Sequence, residues 1–259
     1  MNGRVRTLFV RDFRKAMNAR TIMIWVALAG MGIFFFYATG GKSNLIKNNQ
    51  VSFITLFLPH MIFGSWAVLS TYYDLFSSDR EHNVLDCILC SGIPKHRVML
   101  SKLFVIVVLS LILSFLYLLP VTSVILAVSG DIRHMKILIQ FLLPLWGYIM
   151  VYASMGILIS VIARSSKGAL IWSLAIGLVL MPRFFVMIVE GVGKALHLST
   201  SMVENLQLLA PGVMMQALSE TSDLPHFILA MLMFGGSILI FCSVAYGIFR
   251  KQDEFNYGE

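Results

Sequence analysis

Charged side chains are spaced unevenly along the chain, and the gaps between them set the first expectation. None occurs between Arg20 and Lys42, Lys47 and Asp74, Lys102 and Asp131, Lys136 and Arg164, or Asp223 and Arg250. About 20 predominantly apolar residues span a bilayer as a helix, so each gap holds one crossing. A further apolar stretch from Gly168 to Val189 makes a sixth, interrupted only by Arg183. The pattern predicts an all-α membrane protein with spans at about 21–39, 51–73, 103–129, 137–163, 168–189 and 225–249, all within one transmembrane domain covering 1–259.

Shorter stretches carry a different period. From Arg4 to Arg20, Val5, Leu8, Phe9, Phe13, Ala16 and Met17 recur at helical spacing with basic residues around them, the pattern of an amphipathic helix lying at the membrane surface. The longest polar link, Asp74 to Lys102, interleaves Asp79, Glu81 and Asp86 with Arg80, Lys95 and Arg97. It also sets Val84, Leu85, Ile88 and Leu89 in an apolar stripe, the mark of a short exposed helix. Gly92 and Pro94 break it. Between spans five and six, Ser201 and Glu204 form a capping box ahead of Val203, Leu206 and Leu209. Pro211 and Gly212 then turn into a second short helix, Val213 to Leu218. Pro59, Pro120, Pro144 and Pro182 fall inside spans, where a missing donor bends a helix. Ala169, Ser173 and Gly177 make a small-residue face for close helix approach, within or between subunits.

Composition agrees and charge adds orientation. The 259 residues are 58% hydrophobic and 13% charged, with a net charge of +7, half the charge of an ordinary soluble domain. With six crossings, both termini, the 74–102 link, Arg164 and Lys167 share a side and carry fourteen cations. The other side carries five: Lys42, Lys47, Arg133, Lys136 and Lys194. The positive-inside bias puts both termini in the cytoplasm, so the positive charge reads as orientation and calls for no nucleic acid. The first apolar run is long enough to span, so it is expected to stay as a helix and not to be cleaved as a signal peptide.

Chemistry-bearing residues are few. Cys87 and Cys90 form a C-x-x-C in the polar link, with no second pair or nearby histidines to complete a tetrahedral metal site. They are expected to be structural, and no metal is expected. Gly40, Gly41, Lys42 and Ser43 imitate the end of a phosphate-binding loop, but Phe36 stands where that loop needs glycine and no strand precedes it. Arg183 and Glu190 lie seven apart, on one face of a fifth helix, with Arg183 about 22 Å along it from Gly168 at 1.5 Å per residue. They are candidates for a translocation path; the alternative for Arg183 is snorkelling to the surface. His60, beside Pro59, is a third candidate, with a packed, hydrogen-bonded histidine as its alternative. Trp25, Tyr72 and Tyr73 are expected to anchor the membrane interface.

The stretch Ser78 to Lys102 resembles the first cytoplasmic loop of the permease subunits of ABC-2 type exporters. Asp79, Arg80, Glu81, Leu85, Asp86, Ile88, Leu89, Ile93, Lys95 and Lys102 fit its acidic-Arg-Glu, leucine-rich and basic pattern without a gap. Asn83 and Val84 stand for its Gly-Thr, Gly92 for proline, Pro94 for a small polar residue and Ser101 for glycine. Arg11, Asp12, Phe13 and Arg14 are similar to that family's surface helix, and the paired short helices after span five to its outer re-entrant hairpin. The resemblance implies an exporter permease of the inner (plasma) membrane, working as a pair of permease chains, homomeric or with a related chain. It implies separate ATPase subunits docked on the 79–92 coupling helix through Asp79, Arg80, Glu81, Leu85, Asp86, Ile88 and Leu89. ATP and magnesium would then belong to that partner, leaving this chain without cofactor or catalysis. Bent apolar helices suit an amphipathic or hydrophobic cargo such as a peptide, lipid-linked molecule or drug. The competing classes are an integral membrane enzyme acting on lipid or peptide, and an ion-coupled secondary carrier.

Overall fold

A computed structural model describes residues 3–48, 53–131, 135–220 and 224–252, and every regular element among them is helical. In chain order these are α1 (Gly3–Ala16), α2 (Ala19–Ala38), α3 (Gly41–Asn48), α4 (Phe53–Pro59), a π-helical turn (His60–Gly64) and α5 (Ser65–Tyr72). Then come α6 (Ser77–Glu81), α7 (Val84–Cys90), α8 (Lys95–Ser129), α9 (Met135–Ile162), α10 (Ser166–Val179) and α11 (Pro182–Ala195). The last three are α12 (Thr200–Gln207), α13 (Pro211–Glu220) and α14 (Leu224–Lys251). The expected start of the second span at Val51, and Arg133 in the link after α8, lie outside the described residues.

Local chemistry sets most boundaries. α1 stops at Ala16, because the Asn18 side chain accepts from the Thr21 amide at 2.9 Å and caps a new helix. The stretch after α2, whose residues Gly40 to Ser43 read as a short loop, forms α3 from Gly41 onward, which buries Leu45. α8 begins after Pro94 in extended conformation and ends at Gly130 with φ +65°, the left-handed backbone that favours glycine. Its 35 residues join the basic lead-in 95–102 and the third expected span into one rod.

Four described helices are long and apolar enough to cross a membrane: Ala19–Ala38, Lys95–Ser129, Phe141–Ile162 and Phe227–Lys251. α9 occupies the middle, packed against α8, α5 and α14, and Tyr148 and Tyr152 are fully buried on it. Trp25 and Tyr72, expected at the interface, are also fully buried. Trp25 sits between α2 and α5, where its indole donates to Thr71 Oγ at 3.5 Å, and Tyr72 packs on α9 at Gly156. Only Tyr73 is partly exposed, with the Arg20 guanidinium 5.9 Å from its ring.

The second and fifth expected spans are interrupted. Pro59 has no amide hydrogen, so the α-helical ladder breaks there and the chain continues through the wider turn His60–Gly64. Backbone torsions stay right-handed helical from Pro59 through Tyr73, and α4, the turn and α5 follow one another without a gap. The fifth differs more. α10 ends at Val179 and α11 begins at Pro182 with a bend of 69° between them. The pair makes a fifth crossing only if it is counted as one broken span. Pro182 therefore opens a helix at its favoured first position instead of kinking one. α10 alone is about 21 Å long, short of the roughly 30 Å hydrocarbon core.

The small-residue face of α10 is settled as an internal contact. Ala169, Ser173 and Gly177 are buried against α5, where Ser65 Oγ donates to the Gly177 carbonyl at 2.8 Å and Trp66 Nε1 to the Leu174 carbonyl at 3.1 Å. A Cβ at Gly177 would lie 2.5 Å from Trp66 Cδ1. We predict that Gly177→Val separates these helices and costs about 1–3 kcal/mol, read as a lower midpoint of thermal unfolding in detergent micelles. Gly236→Ala, where an added Cβ meets nothing within 4 Å, serves as the neutral control.

Candidate functional site

The start of α2, the end of α5, the start of α8, the end of α9, the start of α10 and the end of α14 all meet at one end of the bundle. α1 and the 74–95 segment close that end. At its centre is Lys102, on the buried face of α8 that also carries Val98, Met99, Val105 and Ile106. Its ammonium is fully buried and donates to Asp79 Oδ2 at 2.6 Å and to the Leu75 carbonyl, with Asp12 Oδ2 at 3.1 Å. It also lies 4.7 Å from the Phe76 ring centroid.

Three elements meet on this one ammonium. Asp12 is buried on α1 between Leu8 and Ala16, in register with the apolar stripe. Its neighbour Arg11 reaches both acids, Asp12 Oδ1 at 2.6 Å and Asp79 Oδ2 at 2.7 Å. Lys15 adds the Asp74 carbonyl at 2.9 Å and Asp79 Oδ1 at 3.4 Å. Burial alone would raise the Asp79 pKa, but Lys102, Lys15 and Arg11 outweigh it and hold the carboxyl below its ordinary value. Asp74 is half-buried, and desolvation, with the nearby Asp79 charge, outweighs Lys15 and Lys102 and pushes its carboxyl upward.

The residues after Asp79 continue outward from this centre. Arg80 donates to the Val161 and Ala163 carbonyls at 3.0 and 3.2 Å and to the Gln252 side-chain oxygen. It thereby covers carbonyls left open at the end of α9 and ties them to the end of α14. Ser160 Oγ accepts from the Phe76 and Ser77 amides at 2.7 and 2.9 Å. Glu81 accepts from the Ser166 amide at 2.8 Å, at the N-terminus of α10, and this hydrogen bond lowers its pKa. The turn from α6 to α7 runs through Asn83 at φ +55°. Glycine enters that region freely and asparagine more readily than most residues, which accounts for asparagine at a position where the resemblance expects glycine.

The candidate coupling residues therefore divide. Asp79 and Arg80 turn into the bundle, Leu85 and Ile88 bury the inner side of α7, and Leu89 is half-buried beside them. Glu81 and Asp86 stay on the open side. The candidate path residues are not brought together. His60 is buried in the π-helical turn, its ring 4.1 Å from that of Tyr117 with Trp25 and Phe57 nearby, and neither ring nitrogen has a hydrogen-bond partner. Arg183 and Glu190 are exposed on α11, beyond the 69° bend, so the 22 Å measured along a straight fifth helix does not describe Arg183. Glu190 accepts from Gln207 at 3.5 Å. α12 is capped by Ser199, not Ser201: Ser199 Oγ accepts from the Met202 amide at 3.4 Å.

Sequence reasoning passed over Asp12, Lys15 and Lys102 as partners of Asp79. The available signal was register: Asp12 and Lys102 each stand at a core position of an apolar helical face, where an unpaired charge is prohibitive.

Removing one partner of a buried ion pair costs about 3–5 kcal/mol. Asp79→Asn leaves Lys102 buried with Asp12 as its one acid, whereas Lys102→Met leaves both acids with Arg11 or Lys15. We predict the larger loss of thermal stability for Asp79→Asn. The Asp79 carboxyl is depressed in the fold, so its contribution is full above the unfolded value of about 4 and is lost as pH falls through the folded value. Melting curves across pH should show the gap between wild type and Asp79→Asn at full size near neutrality and closing below pH about 4.

A family model described as "ABC-2 family transporter protein" matches residues 10–254. No curated protein matches the chain significantly. The matched region runs from α1 through the end of α14, and with it the apolar helices make this a multi-pass membrane protein and a transport component, not itself a catalyst. The chain belongs to the ABC-2 family of transporters, whose membrane permeases work with an ABC ATPase.

Proposed function

We propose that the chain is the permease subunit of an ATP-driven exporter of the inner (plasma) membrane. It crosses six times, counting the interrupted second and bent fifth passes, with both termini cytoplasmic. It pairs with a second permease chain, homomeric or related, and separate ATPase subunits that hold the ATP and magnesium dock on the 79–92 segment. One observation carries this reading: α7 rests on the bundle through Leu85 and Ile88 while Asp86 is exposed, and the short helix α6 just before it is bound to α1 and α8 through Asp79.

That arrangement supports a mechanism. Force applied to the outer side of α7 passes across the Asn83 turn to α6. There Asp79 grips α1 and α8, Arg80 grips the ends of α9 and α14, and Glu81 grips the start of α10. Five helices then move with the docking segment as a body, a shear or rocking of packed elements. The partner contact falls to the exposed members, Glu81 and Asp86, and the inner members transmit. Asp86→Arg should abolish or weaken capture of the ATPase from detergent extracts about tenfold while leaving the melting temperature unchanged. Unchanged capture and transport would overturn the docking assignment.

The cargo is proposed as amphipathic or hydrophobic, in keeping with the wholly apolar lining of the groove between α9, α10 and α14, of about 370 Å³. Arg183 is exposed on α11 with Phe184 and Met187 exposed beside it, and Ile188 and Val192 are exposed farther around the same helix. If it meets cargo, Arg183→Ala should reduce transport of carboxylate-bearing substrates about tenfold more than neutral ones at equal protein level. Equal loss would mark it as a membrane-surface contact.

A further inference from the structure

Cys87 and Cys90 have no packing role. Free cysteine is among the most buried residue types, yet both are exposed, and the inner side of α7 is filled by Leu85 and Ile88 with Val84 and Leu89 beside them. Three residues apart on a helix, their Cβ atoms lie about 5–6 Å from each other on one face, the face that also presents Asp86. We propose that this pair is a bidentate thiol site for soft, two- or three-coordinate thiophiles (monovalent copper, mercuric ion or a trivalent arsenical) and that its occupation blocks the docking surface.

Geometry selects this ligand class. A disulfide requires a Cβ–Cβ separation of about 3.5–4.5 Å, shorter than the helix provides, so direct oxidation would have to deform α7. An inserted metal or metalloid atom lengthens the bridge by one bond and fits without unwinding. Soft thiolate ligands favour such ions over magnesium or calcium. Among the described residues no group of three or more His, Cys, Asp and Glu side chains is placed to hold a metal ion, and the two thiols are the soft donors that this face offers. With an arylarsine oxide the step balances without redox change: two thiols and R–As=O give R–As(S–Cys87)(S–Cys90) and one water, the thiol protons leaving with the oxide oxygen.

Blocking the partner rests on the docking role proposed for α7, so the experiment has two arms. In the first, the purified chain is treated with phenylarsine oxide and washed with excess 2-mercaptoethanol, then with 2,3-dimercaptopropanol. We expect one arsenic per chain resisting the monothiol and released by the dithiol, kept in Cys242→Ser and lost in both Cys87→Ser and Cys90→Ser. Retention in either single variant, or stripping of the wild type by monothiol, overturns the site. The second arm measures ATPase capture. Loading should lower it about tenfold in wild type and leave Cys87→Ser unaffected. Equal capture by loaded and unloaded wild type overturns the blocking role, whereas absent capture even by the unloaded chain, with the first arm positive, condemns the docking reading and leaves the thiol site standing.

Discussion

A fully buried lysine ammonium is the constraint around which one end of this bundle is built. Taking an ammonium out of water is expensive, and in a low-dielectric site the cost is recovered only by close, well-directed acceptors. Lys102 finds three, each on a different stretch of chain: Asp12 on α1, Asp79 on α6 and the Leu75 carbonyl before α6. Slipping α1 or α6 by one residue would carry Asp12 or Asp79 off the ammonium and leave buried charge short of a partner. The network therefore works less as a source of net stability than as a register device, fixing where α1 and the 74–95 segment sit on α8.

The apolar contacts around it could not do this alone. Leu8, Phe9 and Ala16 would pack acceptably at several positions along α8, because hydrophobic burial has no direction. Phe9 against Phe104, with ring centroids 5.4 Å apart, supplies area, and the ion pairs supply position. Arg80, Glu81 and Ser160 extend the same logic to α9, α10 and α14 by meeting helix-end carbonyls and amides that would otherwise lack partners. The opposite end has no comparable polar centre among the described residues; there α11 and α12 meet through Val203 against Gly193 and leave broad apolar faces exposed. The contrast suits a machine gripped at one end and adaptable at the other.

The helical class, four of the long apolar helices, the helical period of α1 and the break at Gly92 and Pro94 were legible in the sequence because each rests on local facts: apolar length, periodicity and residues that cannot continue a helix. The family was legible for a related reason, since the 79–102 pattern is contiguous. The roles within that pattern were not. Asp79, Glu81 and Asp86 read alike as acids on an exposed helix, but only their distances to Lys102, Ser166 and open solvent separate a buried anchor from a helix cap and a free surface charge.

The sequence by itself determined how many apolar stretches exist, which links are basic and where helices must stop, because those follow from side-chain chemistry within a few residues. Tertiary structure alone decided that the fifth stretch bends at Leu180–Met181, that Ala169, Ser173 and Gly177 pack inside the subunit, and that Trp25 and Tyr72 are core. It also decided that Asp12, Asp79 and Lys102, separated by up to 90 residues, share one site. A charge at a core register announces that a partner must exist. Which partner is set by the way whole helices stack, and no local pattern encodes that.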